Sequence, residues 1–202
     1  GGTAGFLGAV GDDPFGHWLE GVVGGEGVDV SHLAKIGDVR TSLAFIASRS
    51  DGRKDISFYR NPGADMCLDT CHVPADYLAS AEALHFGSIS RIDDGPRAAT
   101  DLARRLAGER GLMVTYDPNW RPTLWPDPAA ARERILEGFA GADVAKVSQE
   151  EWQFVTGEPD FAAGAAALFR LGAGLVVRSE GDAGASFATG QCRGHVEAFA
   201  VD

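Results

Sequence analysis

The stretch "LMVTYDPNWRPTLWPDP" (residues 112–128) contains, in direct succession, an apolar run, a polar turn and the start of a helix. The apolar run ends at Tyr116, and with Asp117 it is predicted to form a strand. Asp127 followed by Pro128 is the residue order of a helix N-terminus, where the aspartate caps the helix and the proline fits its first turn. A strand joined to a helix by a short turn is the unit from which parallel sheets covered by helices are built.

The same alternation of strand and helix runs through the chain from residue 83 onward, which predicts an α/β fold with a mostly parallel central sheet. In the helix that follows the first of these strands, Ala98, Leu102 and Leu106 share one face and are expected to be buried. Strands are predicted at 83–89, 112–117, 143–147, 174–179, 184–189 and 194–200, with helices from Asp93 or Asp94 to near Gly111, from Asp127, from Ser148 to Val155 and from Phe161 to Leu171.

The first part of the chain does not show this regular alternation of strands and helices. Ser50, Asp51, Gly52 and Arg53 read as the turn of a β-hairpin, which predicts an inserted β lid at about residues 38–70. Strands are predicted at 3–10, 41–48 and 55–59, with a helix from Pro14 to about Gly24.

Composition and charge disfavour several classes of function. The 202 residues carry 18 basic and 29 acidic side chains, a net charge of −11, and no basic stripe, so binding to nucleic acid or to an anionic membrane is disfavoured. No apolar run is long enough to span a membrane. The three cysteines, Cys67, Cys71 and Cys192, are too few and too scattered for a disulfide framework, so we expect a cytoplasmic protein.

Several well-defined motifs are missing from the sequence. There is no G-x-x-x-x-G-K-[ST] loop, so phosphate chemistry of the P-loop type is excluded. The segment "FLGAVGDD" (6–13) follows a predicted strand but lacks the G-x-G-x-x-G spacing of a dinucleotide site. The five histidines form neither a Ser/His/Asp pattern nor an H-E-x-x-H pattern.

Asp117, Asn119 and Arg121 occupy alternate positions after the strand at 112–117. In an extended backbone their side chains would point the same way, at the carboxyl end of the strand where ligands bind on such sheets. One interpretation is a capped strand end, with Asp117 and Asn119 binding loop amides and Arg121 pairing with a surface acid. The other is a clamp for a polar ligand such as a phosphate, a carboxylate or a sugar.

Ser148 and Glu151 have the spacing of a capping box, in which each side chain binds the backbone near the other at the start of a helix. The alternative is functional, since a carboxylate at such a position suits a hydrated Mg²⁺ that is bound to phosphates.

The segment from Ser179 to Gly184 reads as a tight turn between two strands. Its glycines supply unusual backbone angles, and they would also let phosphates approach the main chain closely.

Tyr59 and Arg60 begin the segment "YRNPGAD" (59–65), which ends the predicted hairpin. A solvated turn is one interpretation, although it leaves the aromatic and guanidinium pair unexplained. The other is a lid over a sugar.

In their order along the chain, these segments resemble the ribokinase (PfkB) family of sugar kinases, and within it the fructokinases. The segments that carry the resemblance are "FLGAVGDDPFG" (6–16), "FYRNPGADM" (58–66), "HFGSIS" (85–90), "YDPNWRPTLW" (116–125), "ADVAKVSQEEWQFVTG" (142–157), "RSEGDAG" (178–184) and "VD" (201–202).

The resemblance implies a ribokinase-like, Rossmann-type α/β sandwich with a β lid, ATP as phosphoryl donor, Mg²⁺, and the stimulating K⁺ found in many members. Ser148 and Glu151 match the family's N-x-x-E motif, which organises Mg²⁺ and the nucleotide phosphates, although serine replaces the usual asparagine. The remaining matching residues belong to two binding regions of the family, one for the sugar and one for the nucleotide. The sugar-side residues are Tyr59, Arg60, Gly87, Ser88, Asn119 and Arg121, and the residues of the turn along the nucleotide are Ser179, Gly181 and Gly184.

The resemblance also implies that the catalytic base lies outside this sequence. In the family, the base is the last aspartate of a D-T-x-G-A-G-D signature, and Asp202 matches the first aspartate, which is associated with the monovalent cation. We therefore expect residues 1–202 to be an incomplete kinase domain without a catalytic residue of its own and without useful turnover.

The reaction implied by the resemblance is the phosphorylation of D-fructose by ATP, which yields fructose 6-phosphate. Two alternatives stay open: a 2-keto-3-deoxygluconate kinase, which shares the pattern from Asp117 to Trp125, and a non-catalytic relative kept as a binding or structural protein. Because lids in this family often pair two subunits, a homodimer through the lid is also expected.

Overall fold

The computed structural model describes residues 2–50 and 54–200. The chain divides into two compact units. The first comprises Gly1–Pro74 with Asp93–Leu102, and the second comprises Ala75–Ile92 with Ala103–Asp202.

The first unit contains three small sheets of two strands each. In two of these sheets the strands are parallel, β1 with β3 and β2 with β4, whereas β5 and β6 form the predicted antiparallel hairpin. Of the predicted hairpin turn, only Ser50 is among the described residues. The elements are β1 (Ala4–Gly5), β2 (Gly8–Gly11), α1 (Pro14–Gly25), β3 (Val28–Asp29), β4 (Leu33–Ile36), β5 (Leu43–Ser48) and β6 (Lys54–Tyr59).

The single strand predicted at 3–10 is wrong, because the chain forms two strands there. Phe6 donates its backbone N–H to the carbonyl of Asp29, the last residue of β3, after which the chain turns away to pair β2 with β4. A Cβ atom at position 8 would lie 2.6 Å from the Phe6 ring, so glycine at this position lets the ring lie over the change of direction. The short strands β3 and β4 were not predicted.

The second unit is built on a six-stranded sheet with the order β12-β11-β10-β9-β8-β7. Strands β7 to β10 are parallel, and β11 and β12 are antiparallel additions at one side, which confirms the mostly parallel sheet. Its elements are α2 (Ala75–Ala79), β7 (Ala83–Gly87), α3 (Asp94–Arg110, which continues from the first unit), β8 (Met113–Asp117), α4 (Pro128–Glu137), β9 (Val144–Ser148), α5 (Gln149–Thr156), α6 (Phe161–Leu171), β10 (Leu175–Ser179), β11 (Ala185–Thr189) and β12 (Arg193–Val196).

The core of this unit lies on one face of the sheet. A row of aligned residues crosses five strands, and its members pack with buried residues of α3 to α6, such as Ile135 and Leu168. Side chains one position along each strand point to the opposite face, as the pleat of a sheet requires. The row is Phe86, Tyr116, Ala145, Val176 and Ala188.

Helix α3 buries a face different from the predicted one. Ala98 is exposed and Leu102 and Leu106 are half-buried, whereas the buried positions are Ala99, Ala103 and Ala107. The face is thus turned by one residue, because a row of alanines lets a helix backbone approach its neighbours more closely than leucines would. The predicted last strand is also shorter than expected and ends at Val196.

Local signals at helix ends were predicted correctly. The Asp127 carboxylate accepts the N–H groups of Ala129 and Ala130 at 3.0 and 3.2 Å, and Gly157 ends α5 with φ = 79°. Within the described ranges, every helix is too short or too polar to cross a lipid bilayer.

Candidate functional site

The carboxyl ends of the four parallel strands β7 to β10 lie at one edge of the sheet in the second unit. At this edge Gly87 is aligned with Asp117, and Ser148 is aligned with Ser179. The structure therefore gathers at one edge all the predicted site residues of this unit that it describes. They are Gly87, Ser88, Asn119, Arg121, Ser148, Glu151, Ser179, Gly181 and Gly184.

Ser88 joins the end of β7 to the loop that follows β8. Its backbone N–H donates to the Pro118 carbonyl at 3.0 Å, and a Cβ atom at Gly87 would lie 3.2 Å from the Asp117 carbonyl oxygen. The Ser88 side chain is fully buried, and its Oγ has no hydrogen-bond partner among the described residues. The end of β7 at Gly87 and Ser88 is therefore packed closely against the loop that follows β8.

Asp117 caps the loop after β8, as one of the two interpretations predicted. Its Oδ1 accepts the Asn119 N–H at 3.1 Å, and its Oδ2 accepts a hydrogen bond from Lys146 Nζ at 2.9 Å. Lys146 lies on the neighbouring strand and was missed by sequence reasoning, although it shares a sheet face with Ser148 within "DVAKVS". The resulting ion pair fixes the start of the loop against β9.

The prediction that the side chains of Asp117, Asn119 and Arg121 point the same way is wrong, because the backbone is not extended over these residues. Strand β8 ends at Asp117, and Asn119 adopts φ = 46°, a left-handed conformation that interrupts the extended alternation. Asn119 is exposed, while half-buried Arg121 donates from Nη1 to the Trp120 carbonyl at 3.2 Å.

Trp120 is held by two contacts to helix α5. Its indole ring is stacked on the Phe154 ring, with centroids 3.6 Å apart and planes within 2°. Its backbone N–H donates to the Glu151 carboxylate. Sequence reasoning missed this residue, although it is an aromatic residue placed between two polar candidates.

Glu151 also forms the predicted capping box with Ser148. Its Oε2 accepts the Ser148 N–H at 3.2 Å and the Ser148 hydroxyl at 2.8 Å. The carboxylate is nearly buried, with Glu151 only 7% exposed. The interpretation as a helix cap is confirmed, and the same carboxylate has a third donor in the loop after β8.

The turn from Ser179 to Gly184 has the unusual backbone angles that its glycines predicted. Gly181 has φ = 58° and Gly184 has φ = 99°. A Cβ atom at Gly184 would lie 2.0 Å from the Val196 carbonyl oxygen, so only glycine fits there. At Gly181, by contrast, a Cβ atom would meet nothing within 4 Å, so the main chain there is open to a close approach from outside.

Glu180 in this turn was not predicted. Its Oε1 accepts hydrogen bonds from Ser186 Oγ at 2.7 Å and from Arg178 Nε at 2.8 Å, and His195 Nδ1 lies 3.5 Å from Oε2. The Ser186 hydroxyl and the Arg178 guanidinium lower the pKa of Glu180 below its usual value, because both stabilise the carboxylate form. Glu180 therefore holds the turn in place as an anion.

Tyr59 and Arg60 lie in the first unit, at the end of β6. Tyr59 is 67% exposed and makes an edge contact with Phe45, with ring centroids 5.1 Å apart. The Arg60 side chain is only 8% exposed, and it donates to Asp65 at 2.5 Å and to Asp93 at 3.0 Å. A solvated turn does not describe Arg60, because both of these contacts are internal.

A direct metal site does not fit the residues that the structure describes. No group of three or more His, Cys, Asp or Glu side chains in residues 2–50 and 54–200 is arranged to hold a metal ion. Glu151 already accepts from three donors, and Asp202 lies outside the described residues.

Residues 1–202 match the family described as pfkB family carbohydrate kinase, and the chain belongs to this family. It is 39% identical to "Probable fructokinase-3" of Arabidopsis thaliana over 203 residues, which cover all of this chain and 59% of that protein. The chain thus spans about three fifths of the length of the curated relatives it matches.

Solved structures confirm the ribokinase-like α/β fold. The PfkB protein from Polaromonas sp. JS666 superposes with a TM-score of 0.91 at 30% identity, over all of this chain and 68% of that one. The fructokinase from Vibrio cholerae O395, solved with fructose, ADP and a calcium ion bound, superposes with a TM-score of 0.88 at 31% identity, over all of this chain and 65% of that one.

Proposed function

We propose that the protein is a sugar kinase that transfers a phosphoryl group from ATP to D-fructose and so forms fructose 6-phosphate. The observation that carries the proposal is the sheet edge in the second unit. There, a polar loop after β8 and a glycine turn after β10 flank the Ser148 cap at the end of β9. Support for the choice of sugar comes from the similarity to fructokinases at 38 to 39% identity.

The sugar is assigned to the loop after β8 and to the wall after β7. Asn119 and Arg121 present an amide and a guanidinium, groups that bind sugar hydroxyls, and Gly87 with Ser88 forms the neighbouring wall. Tyr59 is assigned to the sugar from the lid, which we propose to be the inserted segment at about 38–70. Arg60 is also assigned to the sugar side, and its ion pairs with Asp65 and Asp93 hold the base of the lid in place.

ATP is assigned to the edge formed by β9 and β10. Ser148 at the start of α5 lies beside Ser179, and the open backbone at Gly181 allows phosphates to approach the main chain. Gly184 makes this turn sterically achievable.

Mg²⁺ and K⁺ are proposed on the family resemblance. We propose that Mg²⁺ is held by the phosphates of the nucleotide and by water, with Glu151 near the hydrated ion rather than bound to it. Bound Mg²⁺ would neutralise charge on the phosphates. Asp202 is the proposed neighbour of the monovalent cation.

Phosphoryl transfer depends mainly on positioning and on the stabilisation of charge. The role of the residues in this chain is to bind the two substrates at one sheet edge and to orient the primary hydroxyl of fructose for in-line attack on the γ-phosphate. No residue among 1–202 is assigned as the catalytic base. We propose that a signature aspartate outside this range accepts the hydroxyl proton.

The test is a steady-state assay of the full-length protein with ATP and Mg²⁺, with D-fructose and 2-keto-3-deoxygluconate as separate substrates. We expect ADP release that depends on fructose, with a kcat/KM at least about 10-fold higher for fructose than for the acidic sugar. A preference for 2-keto-3-deoxygluconate would overturn the choice of substrate. Sugar binding by calorimetry without turnover on any sugar would favour the non-catalytic alternative. The cytoplasmic location stays a prediction.

A further inference from the structure

The Glu151 carboxylate connects two parts of the candidate site that are far apart in the sequence. On one side it accepts the backbone N–H and the hydroxyl of Ser148, at 3.2 and 2.8 Å. On the other side it accepts the backbone N–H of Trp120, which lies in the loop after β8. One buried side chain therefore joins the sheet edge that is assigned to ATP to the loop after β8 that is assigned to the sugar, here called the sugar loop.

This arrangement leaves little capacity for a metal ion. A carboxylate has about four lone-pair positions, and three hydrogen bonds already point at the two oxygens of Glu151. A cation bound directly would draw the carboxylate away from these donors, and the N–H groups of Trp120 and Ser148 would lose their acceptor.

The position of Trp120 explains why this contact matters for the loop. Trp120 lies between Asn119 and Arg121, the two residues assigned to the sugar. Its ring is stacked on Phe154, three residues after Glu151 on the same helix. Helix α5 thus holds both the backbone and the side chain of Trp120. A change at Glu151 is therefore expected to move the neighbours of Trp120, which are Asn119 and Arg121.

The backbone of the loop also requires restraint. Asn119 has φ = 46°, a left-handed conformation that asparagine tolerates better than most residues but that is still less favourable than the ordinary regions. The restraint before it is the Asp117 carboxylate, which accepts the Asn119 N–H at 3.1 Å. The restraint after it is the bond from the Trp120 N–H to Glu151.

We propose that Glu151 is a positioning residue for the sugar loop and not a direct ligand of Mg²⁺. Its carboxylate fixes the Trp120 amide and thereby sets where Asn119 and Arg121 stand relative to the substrate. The proposal rests on the proposed function for its kinetic consequence, whereas its structural consequence is measured without any substrate.

The structural test compares backbone hydrogen exchange in the full-length protein with that in the variants Glu151→Gln and Glu151→Ala. The matched control is Glu150→Gln, which changes the exposed neighbour in the same first turn of α5. We expect amide exchange to become at least about 10-fold faster at Trp120 and Ser148 in the Glu151 variants and to stay unchanged in the control. The Gln variant keeps the volume of the side chain but only one acceptor oxygen, so it provides the answer if the Ala variant does not fold.

The kinetic test separates positioning from metal binding. In Glu151→Gln we expect the KM for fructose to rise about 10-fold at saturating Mg²⁺, because Asn119 and Arg121 are no longer held in place for the sugar. Unchanged exchange at Trp120 would overturn the proposal, and so would a raised Mg²⁺ requirement with an unchanged KM for the sugar. If the full-length protein phosphorylates no sugar, the proposed function fails, yet faster exchange at Trp120 would still support the role of Glu151 in holding the loop.

Discussion

Asp13 holds three segments of the first unit through one carboxylate. Its Oδ1 caps helix α1 by accepting the N–H groups of Phe15 and Gly16 at 3.0 and 2.9 Å, and its Oδ2 accepts the Thr41 N–H at 2.8 Å. The Thr41 hydroxyl in turn accepts the Gly11 N–H at 2.9 Å, at the end of β2. These bonds, with the Thr41 amide first, lower the pKa of Asp13 from 3.8 to about 2, because they stabilise the charged form.

The lowered pKa predicts how Asp13 contributes to stability at different pH values. A carboxyl group whose pKa is lower in the folded state stabilises that state above its unfolded pKa, near 4, and the contribution is lost as the pH falls from about 4 towards 2. We expect Asp13→Asn to lower the denaturant midpoint at pH 7, and the difference from the unmodified protein to narrow between pH 4 and pH 3. The measurement is urea unfolding across this pH range.

The control for this prediction is Asp12→Asn, which changes an exposed neighbour paired with His17. It should shift the midpoint far less. A deficit of Asp13→Asn that is equally large at every pH would show that its carboxylate charge contributes nothing.

Hydrogen bonds to Asp65 hold the two ends of the β5–β6 hairpin together at its base. Ser42, just before β5, donates its hydroxyl to Asp65 Oδ1, and Arg60, just after β6, donates Nε to Oδ2 at 2.5 Å. Arg60 also reaches Asp93 at 3.0 Å, ahead of helix α3. A Cβ atom at Gly63 would lie 1.8 Å from Ser42 Oγ, so the chain can enter this arrangement only through glycine.

We expect Asp65→Asn to loosen the hairpin because it removes the charge that faces Arg60 and one acceptor oxygen. Stability should fall by about 1 to 2 kcal/mol, the range for a hydrogen bond to a charged group that is partly exposed. Amide exchange in Leu43–Ser48 and Lys54–Tyr59 should become faster. The control is Asp55→Asn, whose carboxylate pairs with Arg49 at 3.3 Å on the exposed surface of the same hairpin. Equal effects of the two variants would contradict the role of Asp65.

The elements also show which features a sequence can predict. The cap of α4 at Asp127, the capping box of Ser148 and Glu151 and the end of α5 at Gly157 were predictable because each depends on residues within one or two turns. The partner of Asp117 was not, because Lys146 lies 29 positions further along the chain and is brought close only by strand pairing.

The same distinction holds in the candidate site. The sequence identified the sheet edge, since strand ends can be located from apolar runs. It did not predict the contact of Glu151 with Trp120, or the two carboxylates on Arg60, since these depend on how separate segments pack. The predicted face of α3 failed for the same reason, because burial of Ala103 or Leu102 is decided by the neighbouring elements.

The β5–β6 hairpin exposes large apolar side chains. Phe45 is 56% exposed and Ile46 is 61% exposed, and as consecutive strand residues they lie on opposite faces of the hairpin. A two-stranded hairpin exposed on both faces is only marginally stable in water. Apolar side chains on both faces would gain stability from contact with a partner surface.

The homodimer through the lid, which is expected from the family resemblance, stays a prediction for the full-length protein, and it would place this hairpin against the hairpin of a second copy. Ile46→Asp would place a charge in such an interface and should shift the population to the monomer, with the largest effect at low protein concentration, since dimer formation follows mass action. The measurement is sedimentation velocity over a range of concentrations. The matched control is Val22→Asp, an exposed apolar residue on α1 of the same unit, which should leave the dimer intact. A monomer at every concentration before mutation, or a dimer unaffected by Ile46→Asp, would contradict the assignment of this surface.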